Sequence, residues 1–249
     1  MATLFVIATP IGNLEDITHR ALRLLGEVPV LACEDTRVTR RILERHAVRR
    51  PPRVISHHEH NEEAAAPGIV KLLGQGHDIA LCTDAGYPGL SDPGYRVILQ
   101  AIEAGHRVEV IPGACAIEPA LLASGLPGSS FTFKGFPPRR PGPRRRFLEA
   151  ERDAPHTLVL YESPRRVAAL LTDAIVALGD RRAAVCVELT KKFEQIHRGW
   201  LSELAAQFAS AAIRGEVTVV IAGNHPKFVR PAGLSVTDLD PSPPGPGGP

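Results

Sequence analysis

The sequence predicts an α/β protein whose sheets are mainly parallel and whose chain forms two domains. Three observations carry that expectation. Short apolar runs alternate with stretches whose apolar residues recur at helical spacing, the pattern of a parallel sheet covered on both faces. The alternation breaks at Gly125-Leu126-Pro127-Gly128-Ser129-Ser130 and then restarts. A chain of 249 residues, 44% hydrophobic and 22% charged, can bury one large or two smaller cores, and this composition excludes global disorder.

The elements follow in order. Leu4–Ala8 is the first strand, followed by the turn-rich Thr9–Asp16. Ile17, Ala21, Leu24, Leu25 and Val28 then recur at helical spacing, with Asp16 available as N-cap. Val30–Cys33 is a strand and Thr36–His46 a very basic helix; Val54–Ser56, Ile79–Thr83 and Val108–Ile111 are further strands. Helices fit Ile69–Leu73, Tyr95–Ala104 and Ile117–Ala123, the first weakened by Pro67. After the break, strands are expected at Phe131–Phe133, Thr157–Tyr161, Ala183–Glu188 and Val217–Ala222, with helices at Arg165–Leu178 and Leu201–Ile213. The expected domains are 1–127 and 128–225, with a disordered Pro/Gly-rich tail at 226–249.

Charge is informative only in its placement. The net charge is +2, yet 24 of the 29 basic residues are Arg. Seven lie between Arg37 and Arg53 against one acid, Glu44, and six basic residues lie between Lys134 and Arg146 with no acid. Arg offers planar, permanently charged, multi-donor contacts suited to phosphate. Cys33, Cys82, Cys115 and Cys186 are scattered without a CxxC pair, which argues against structural zinc or a disulfide framework and for a reducing cytoplasm. No apolar run approaches a membrane span, and the start lacks a basic leader with a long apolar core.

Ligands of an open α/β sheet sit beyond the carboxyl ends of its strands. Three loops there are rich in Gly and Pro: Thr9–Asn13, Asp84–Gly94 and Pro112–Ala116. Such residues let a ligand approach main-chain groups closely. Neither G-x-G-x-x-G after a strand nor the P-loop pattern occurs, so a pocket of backbone groups with Asp84 and Asp92 suits a ligand without a phosphate tail, a cation included. Glu34-Asp35-Thr36-Arg37 ends a strand, where Asp35 or Thr36 could equally be a helix cap. His57-His58-Glu59-His60-Asn61-Glu62 has metal-ligand residue types without the spaced helical His pair of a zinc hydrolase, so no metal is expected.

These loops, in this order, resemble the tetrapyrrole methylase superfamily, the class III methyltransferases. Within it they look like the enzymes that methylate a cytidine 2′-oxygen in bacterial 16S rRNA. The resemblance rests on Ala8–Ile17, Glu34–Arg37, His58–Glu62, Asp84–Gly94, Phe133–Pro137, Tyr161–Pro164 and Glu188–Lys191, and spans about residues 1–223. It implies S-adenosylmethionine held in a cleft between two α/β domains, usually in a homodimer, with no membrane or DNA partner. By motif matching, Pro10, Asp84, Ala85, Gly86, Gly89, Cys115 and Ala116 would line the cofactor site, with Glu162 and Leu189 approaching from the second domain. The chain departs from the family pattern at Cys115, where Ser or Thr is expected, at Tyr87 for Thr, and at Arg165 for His.

The reaction so implied is an in-line displacement in which orientation supplies most of the rate. Glu34, Asp35 and Glu162 are the candidates to accept the hydroxyl proton, and Arg37 or Lys191 could hold the adjacent phosphate. Arg37, Arg40, Arg41, Arg139, Arg140, Arg144, Arg145 and Arg165 are the expected contacts to the rRNA or the small ribosomal subunit. The competing readings are methylation of a tetrapyrrole or other small substrate on the same fold, and a non-catalytic ribosome-binding factor.

Overall fold

A computed structural model describes residues 2–210 and 213–231 of the chain. These fall into two compact units. One runs to Ala123 and includes Cys186–Gln195; the other holds Ser124–Val185 and the described residues from Ile196 onward. A contiguous cut at 127/128 therefore misplaces Cys186–Gln195, which packs with the first unit.

The first unit alternates β1 (Thr3–Ile7), α1 (His19–Glu27), β2 (Val30–Cys33), α2 (Thr36–Arg45), β3 (Arg53–Ser56), α3 (Glu62–Gly74), β4 (Ile79–Cys82), α4 (Tyr95–Glu103), β5 (Arg107–Ile111) and α5 (Ile117–Ser124). The sheet is wholly parallel, in the order β3-β2-β4-β1-β5. The chain steps outward from β1 to β3 and then returns through β4 to β5. Right-handed crossovers consequently put α1 and α2 on one face and α3 and α4 on the other. The cores obey this: Ala21, Leu24, Leu25 and Leu43 pack on Ile7, Leu31, Ala80 and Ile111. Ala66, Ile69, Leu73, Val97 and Ala101 pack on Leu4, Val6, Ala32 and Leu81. Each strand divides its side chains between the two faces with period two.

Two helix starts differ from expectation. The N-cap of α1 is Thr18, whose hydroxyl accepts from the Ala21 N–H at 3.1 Å, rather than Asp16. Helix α3 extends a full two turns before Ile69, because Pro67 lies on its exposed side, where the carbonyl left without a partner faces water.

The second unit is built around β6 (Phe131–Phe133), α6 (Pro141–Glu149), β7 (Thr157–Glu162), α7 (Val167–Leu178), β8 (Arg182–Val187), β9 (Gln195–Trp200), α8 (Leu201–Phe208) and β10 (Val217–Ile221). The sheet order is β6-β7-β10-β8-β9, with β6 parallel and β10 antiparallel to β7. Helix α6 and strand β9 have no counterpart in the expected elements, and α8 ends at Phe208.

The tail expected to be disordered from 226 is packed as far as the described residues reach. Pro226–Phe228 forms a 3₁₀ turn, and Arg230 N–H donates to the Asp180 carbonyl at 2.8 Å. The Arg230 guanidinium lies 2.7 Å from a Glu203 carboxylate oxygen and 4.8 Å from the Trp200 ring centre. The last nine residues, on which the disorder expectation chiefly rests, lie outside the described residues.

Candidate functional site

Strands β1 and β4 are neighbours whose following helices leave to opposite faces of the sheet. Their carboxyl ends thus flank a topological switch point, where this architecture opens a crevice. The two loops are stitched together there. Thr9 N–H donates to the Gly86 carbonyl at 2.9 Å and Gly86 N–H to the Thr9 carbonyl at 3.0 Å. The buried Thr9 hydroxyl donates to the Thr83 carbonyl at 2.9 Å. The β4 loop turns back sharply at Gly94, at φ 142°, where a Cβ would come within 2.9 Å of the Gly89 nitrogen and of Pro88 Cβ. No other residue fits this turn.

Three carboxylates gather beside it, from the ends of β2 and β4. The Asp35 N–H donates to Asp84 Oδ1 at 3.0 Å, and the Asp84 N–H donates to Glu34 Oε2 at 3.2 Å. Each of Glu34 and Asp84 therefore has one oxygen held by the backbone and a second without a hydrogen bond among the described residues. Burial pushes both carboxyls above the usual carboxylate range; the charges of Asp84 and Asp35 add to it at Glu34, and that of Asp35 adds to it at Asp84. Asp35 is different. It caps α2 by accepting the Arg37 N–H at 2.8 Å, and the Arg37 guanidinium forks onto it at 3.0 and 2.6 Å. These bonds lower its carboxyl to about 2, so Asp35 is a cap and a poor proton acceptor.

The far wall comes from the β5 loop and from Glu188–Lys191, which belongs to the first unit. Glu188 and Thr190 both adopt left-handed backbone, at φ 54° and 65°, a conformation that a β-branched residue holds only when its surroundings impose it. Here the Thr190 hydroxyl accepts the Asn13 N–H at 3.1 Å, and the Thr190 N–H donates to Glu194 Oε2 at 2.7 Å. Gly12 has no room for a side chain: a Cβ would meet Lys191 Cγ, Thr190 Oγ1 at 2.6 Å and the Leu189 carbonyl at 3.0 Å. A cleft of about 660 Å³ opens where Ile11, Gly113, Cys115 and Thr190 meet. Of the expected cofactor residues it takes in Cys115 alone, and Pro10, Asp84, Ala85, Gly86, Gly89, Ala116 and Leu189 are not among its walls; Pro10 and Leu189 are buried in the loop bases.

The remaining expected residues divide. Ala85, Gly86 and Gly89 lie in the β4 loop at the switch point, Gly86 and Gly89 at φ 75° and 81°. Lys191 Nζ is engaged by Glu188 Oε1 at 2.7 Å. Glu162 is in the second unit, fully buried, with Oε1 accepting from the Ser163 N–H at 2.7 Å and lying 3.1 Å from Arg166 Nε. Burial raises its carboxyl, and nothing exposes it to substrate. Arg144 is corrected outright. It is 4% exposed, and its guanidinium holds Asp173 at 2.8 and 2.6 Å, so it is a core residue of α6 and not an RNA contact. Arg145 shares Asp173 at 2.6 Å but remains half-exposed. Arg41, Arg139, Arg140 and Arg165 are exposed, and Arg40 is exposed beside Glu44 at 3.5 Å.

Sequence reasoning missed three supports of the site. Glu62 Oε1 accepts the Gly94 and Arg96 N–H groups at 2.8 and 3.1 Å, capping α4 where Gly94 has no side chain to do so. Asn61 closes the preceding turn by accepting from the His58 N–H at 2.8 Å. The His57–Glu62 segment thus anchors the β4 loop; the signal available was Glu62 opening a helix. Tyr87 is the second: its hydroxyl oxygen accepts the Gly113 N–H at 2.9 Å and ties the β4 loop to the β5 loop. Thr190 is the third, and only its long-range contact with Asn13 reveals it.

A parallel sheet with its crevice at β1/β4, flanked by Gly/Pro loops and half-buried carboxylates, is the framework of one methyltransferase class. The chain belongs to the tetrapyrrole (corrin/porphyrin) methylase family, whose sequence profile matches residues 3–205. Within it, the chain is 44% identical over 225 residues to the ribosomal RNA small subunit methyltransferase I of Halalkalibacterium halodurans, covering 90% of this chain and 77% of that one. It is 46% identical over 233 residues to the ribosomal RNA small subunit methyltransferase I of Mesorhizobium japonicum, covering 93% and 79%. The fold also matches a crystal structure of diphthine synthase, with TM-score 0.68, 16% identity, and 89% and 90% of the two chains covered. The α/β architecture of the tetrapyrrole methylase type expected from the sequence is therefore the one present.

Proposed function

We propose that this protein transfers a methyl group from S-adenosylmethionine to the 2′-oxygen of a cytidine in 16S rRNA of the small ribosomal subunit, and so acts in the cytoplasm. The likeness to relatives named for ribosomal RNA, over nine-tenths of the chain, carries the substrate. The site supports the chemistry. Backbone groups of the β1, β4 and β5 loops and the half-buried carboxylates of Glu34 and Asp84 fit a cation without a phosphate tail. Bound there, S-adenosylmethionine supplies a methyl group on positively charged sulfur.

The chain's own part is positioning and proton handling. Asp84, at the end of β4 with one oxygen free of hydrogen bonds among the described residues, supplies the counter-charge. Glu34 accepts the 2′-hydroxyl proton, a contribution on the order of 10²–10⁴-fold. The stitched Thr9/Gly86 loops hold the crevice in one shape, which is where most of the rate originates. Arg37 and Lys191 flank it as phosphate contacts, with exposed Arg40, Arg41, Arg139, Arg140, Arg145 and Arg165 giving a salt-dependent background.

A second copy is proposed to cover the outer face of α4. Tyr95, Leu99 and Ile102 form an exposed apolar stripe at helical spacing, continued by exposed Val110 on edge strand β5. Apolar surface of this kind marks an association site.

One assay tests the function: labelled methyl donor offered with small ribosomal subunits, naked rRNA and a porphyrinogen. Label in a cytidine ribose is the expected result. Label only in porphyrinogen, or in nothing, overturns it in favour of a small-molecule enzyme or a binding factor.

A further inference from the structure

Between α2 and the outer strands β2 and β3 lies a cavity of about 150 Å³ that the methyl-transfer site does not use. Its apolar floor is Leu31, Leu43 and Val54, and Arg37, Arg40 and Arg50 stand around it. Thr36 and Thr39 line it from the helix side, the Thr39 hydroxyl donating to the Asp35 carbonyl at 3.2 Å. Three arginines line one void, and a void forfeits packing, which folding alone does not select. Arg37 is forked onto Asp35 and Arg40 is beside Glu44, but Arg50 has neither a carboxylate nor a hydrogen bond among the described residues.

The size is restrictive. At roughly 30 Å³ per water the cavity is the space of about five waters, room for one flat pyrimidine-sized ring. An apolar floor under a cationic rim matches a nucleotide: base on the floor, phosphate on the rim. Unpaired RNA is recognised in this way, by unstacked bases against apolar or guanidinium surfaces. The position also fits, because Arg37 stands on the rim while its guanidinium holds Asp35, the neighbour of Glu34.

We propose that this cavity binds the base of an unpaired pyrimidine nucleotide flanking the methylated cytidine, with that nucleotide's phosphate on Arg50, Arg40 and Arg37. The proposal rests on the RNA reading of the function. It makes the cavity a positioning site that selects the strand and leaves the chemistry to the switch-point crevice.

Two variants test it. Val54→Phe fills the floor without altering charge, and Arg50→Ala removes the one unpaired guanidinium. Each is expected to raise KM for small ribosomal subunits about tenfold, with kcat and S-adenosylmethionine affinity unchanged. Arg50→Lys should recover part of the loss, and the Arg50→Ala effect should shrink as salt rises. In direct titrations, cytidine and uridine 5′-monophosphate should bind the wild type more tightly than inorganic phosphate, and Val54→Phe should abolish that difference. Unchanged KM in both variants, with methylation intact, overturns the cavity assignment alone. Phosphate binding as tightly as the mononucleotides overturns it too, leaving an anion site. Wild-type protein that methylates no RNA overturns the functional reading and the cavity with it.

Discussion

Glu34 and Asp35 adjoin in the chain and differ in chemistry because their surroundings differ. Asp35 faces the start of α2 and Arg37, which hold it ionised; Glu34 is half-buried beside Asp84, which favours its protonated form. A base must be ionised, so activity should fall as pH drops through the raised Glu34 value, and kcat/KM should show an acid limb above the ordinary glutamate range. Glu34→Gln should lower kcat by about 10²-fold or more and remove that limb. Asp35→Ala should leave the limb in place and lower the thermal midpoint by uncapping α2. Stability runs the other way for Glu34. A carboxyl whose pKa is raised on folding binds its proton more tightly folded than unfolded, so stability declines as pH rises through that range. Glu34→Gln should therefore be more thermostable than wild type at pH 7, measured by thermal melts across pH. The sequence made both residues candidates, but burial and the Arg37 fork, which separate them, depend on tertiary neighbours. The same limit explains Arg144: six bases without an acid read as surface, and the acid that buries one of them, Asp173, lies far along the chain.

At the scale of elements, most strands and helices were legible because apolar spacing survives packing; β2, for example, is four consecutive buried residues. Helix α6 was not, since Pro141-Gly142-Pro143 reads as a loop although Pro suits a first helical turn. Strand β9 was hidden by its polar edge position, Gln195 and Arg198 both being exposed. Two predictions belong here. Glu62→Ala removes the α4 cap and should cost about 1–2 kcal/mol by chemical denaturation. It should also weaken S-adenosylmethionine binding, because the Asp84–Gly94 loop loses its anchor, while leaving kcat at saturation near normal. Asp173→Ala strands the buried Arg144 charge between α6 and α7, and should cost about 3–5 kcal/mol. The double variant Arg144→Met/Asp173→Leu should recover most of that loss, which a merely exposed pair would not show.

The whole molecule turns on features that no local pattern contains. Gly/Pro loops after the first, fourth and fifth strands pointed to one sheet edge, and they occupy it. The order β3-β2-β4-β1-β5, which makes β1/β4 the switch point, was not readable, nor was the return of Glu188–Lys191 to the first unit. Such pairings are fixed by long-range burial, to which short-range periodicity is blind. The apolar stripe of α4 carries the prediction at this scale. Ile102→Asp should convert a dimer to a monomer by sedimentation velocity while leaving the circular dichroism spectrum unchanged; a wild type already monomeric would remove the proposal of a second copy.

The sheet order also sets when the crevice can exist during synthesis. Strand β4 is inserted between β2 and β1, so a nascent chain that has released β1, β2 and β3 holds no path of paired strands from β1 to its neighbours. The Asn13–Thr190 bond spans 177 positions, and Gly12 has its lid only once Leu189–Lys191 has left the exit tunnel. The ligand loops are therefore complete only once the chain has passed β8 and Lys191.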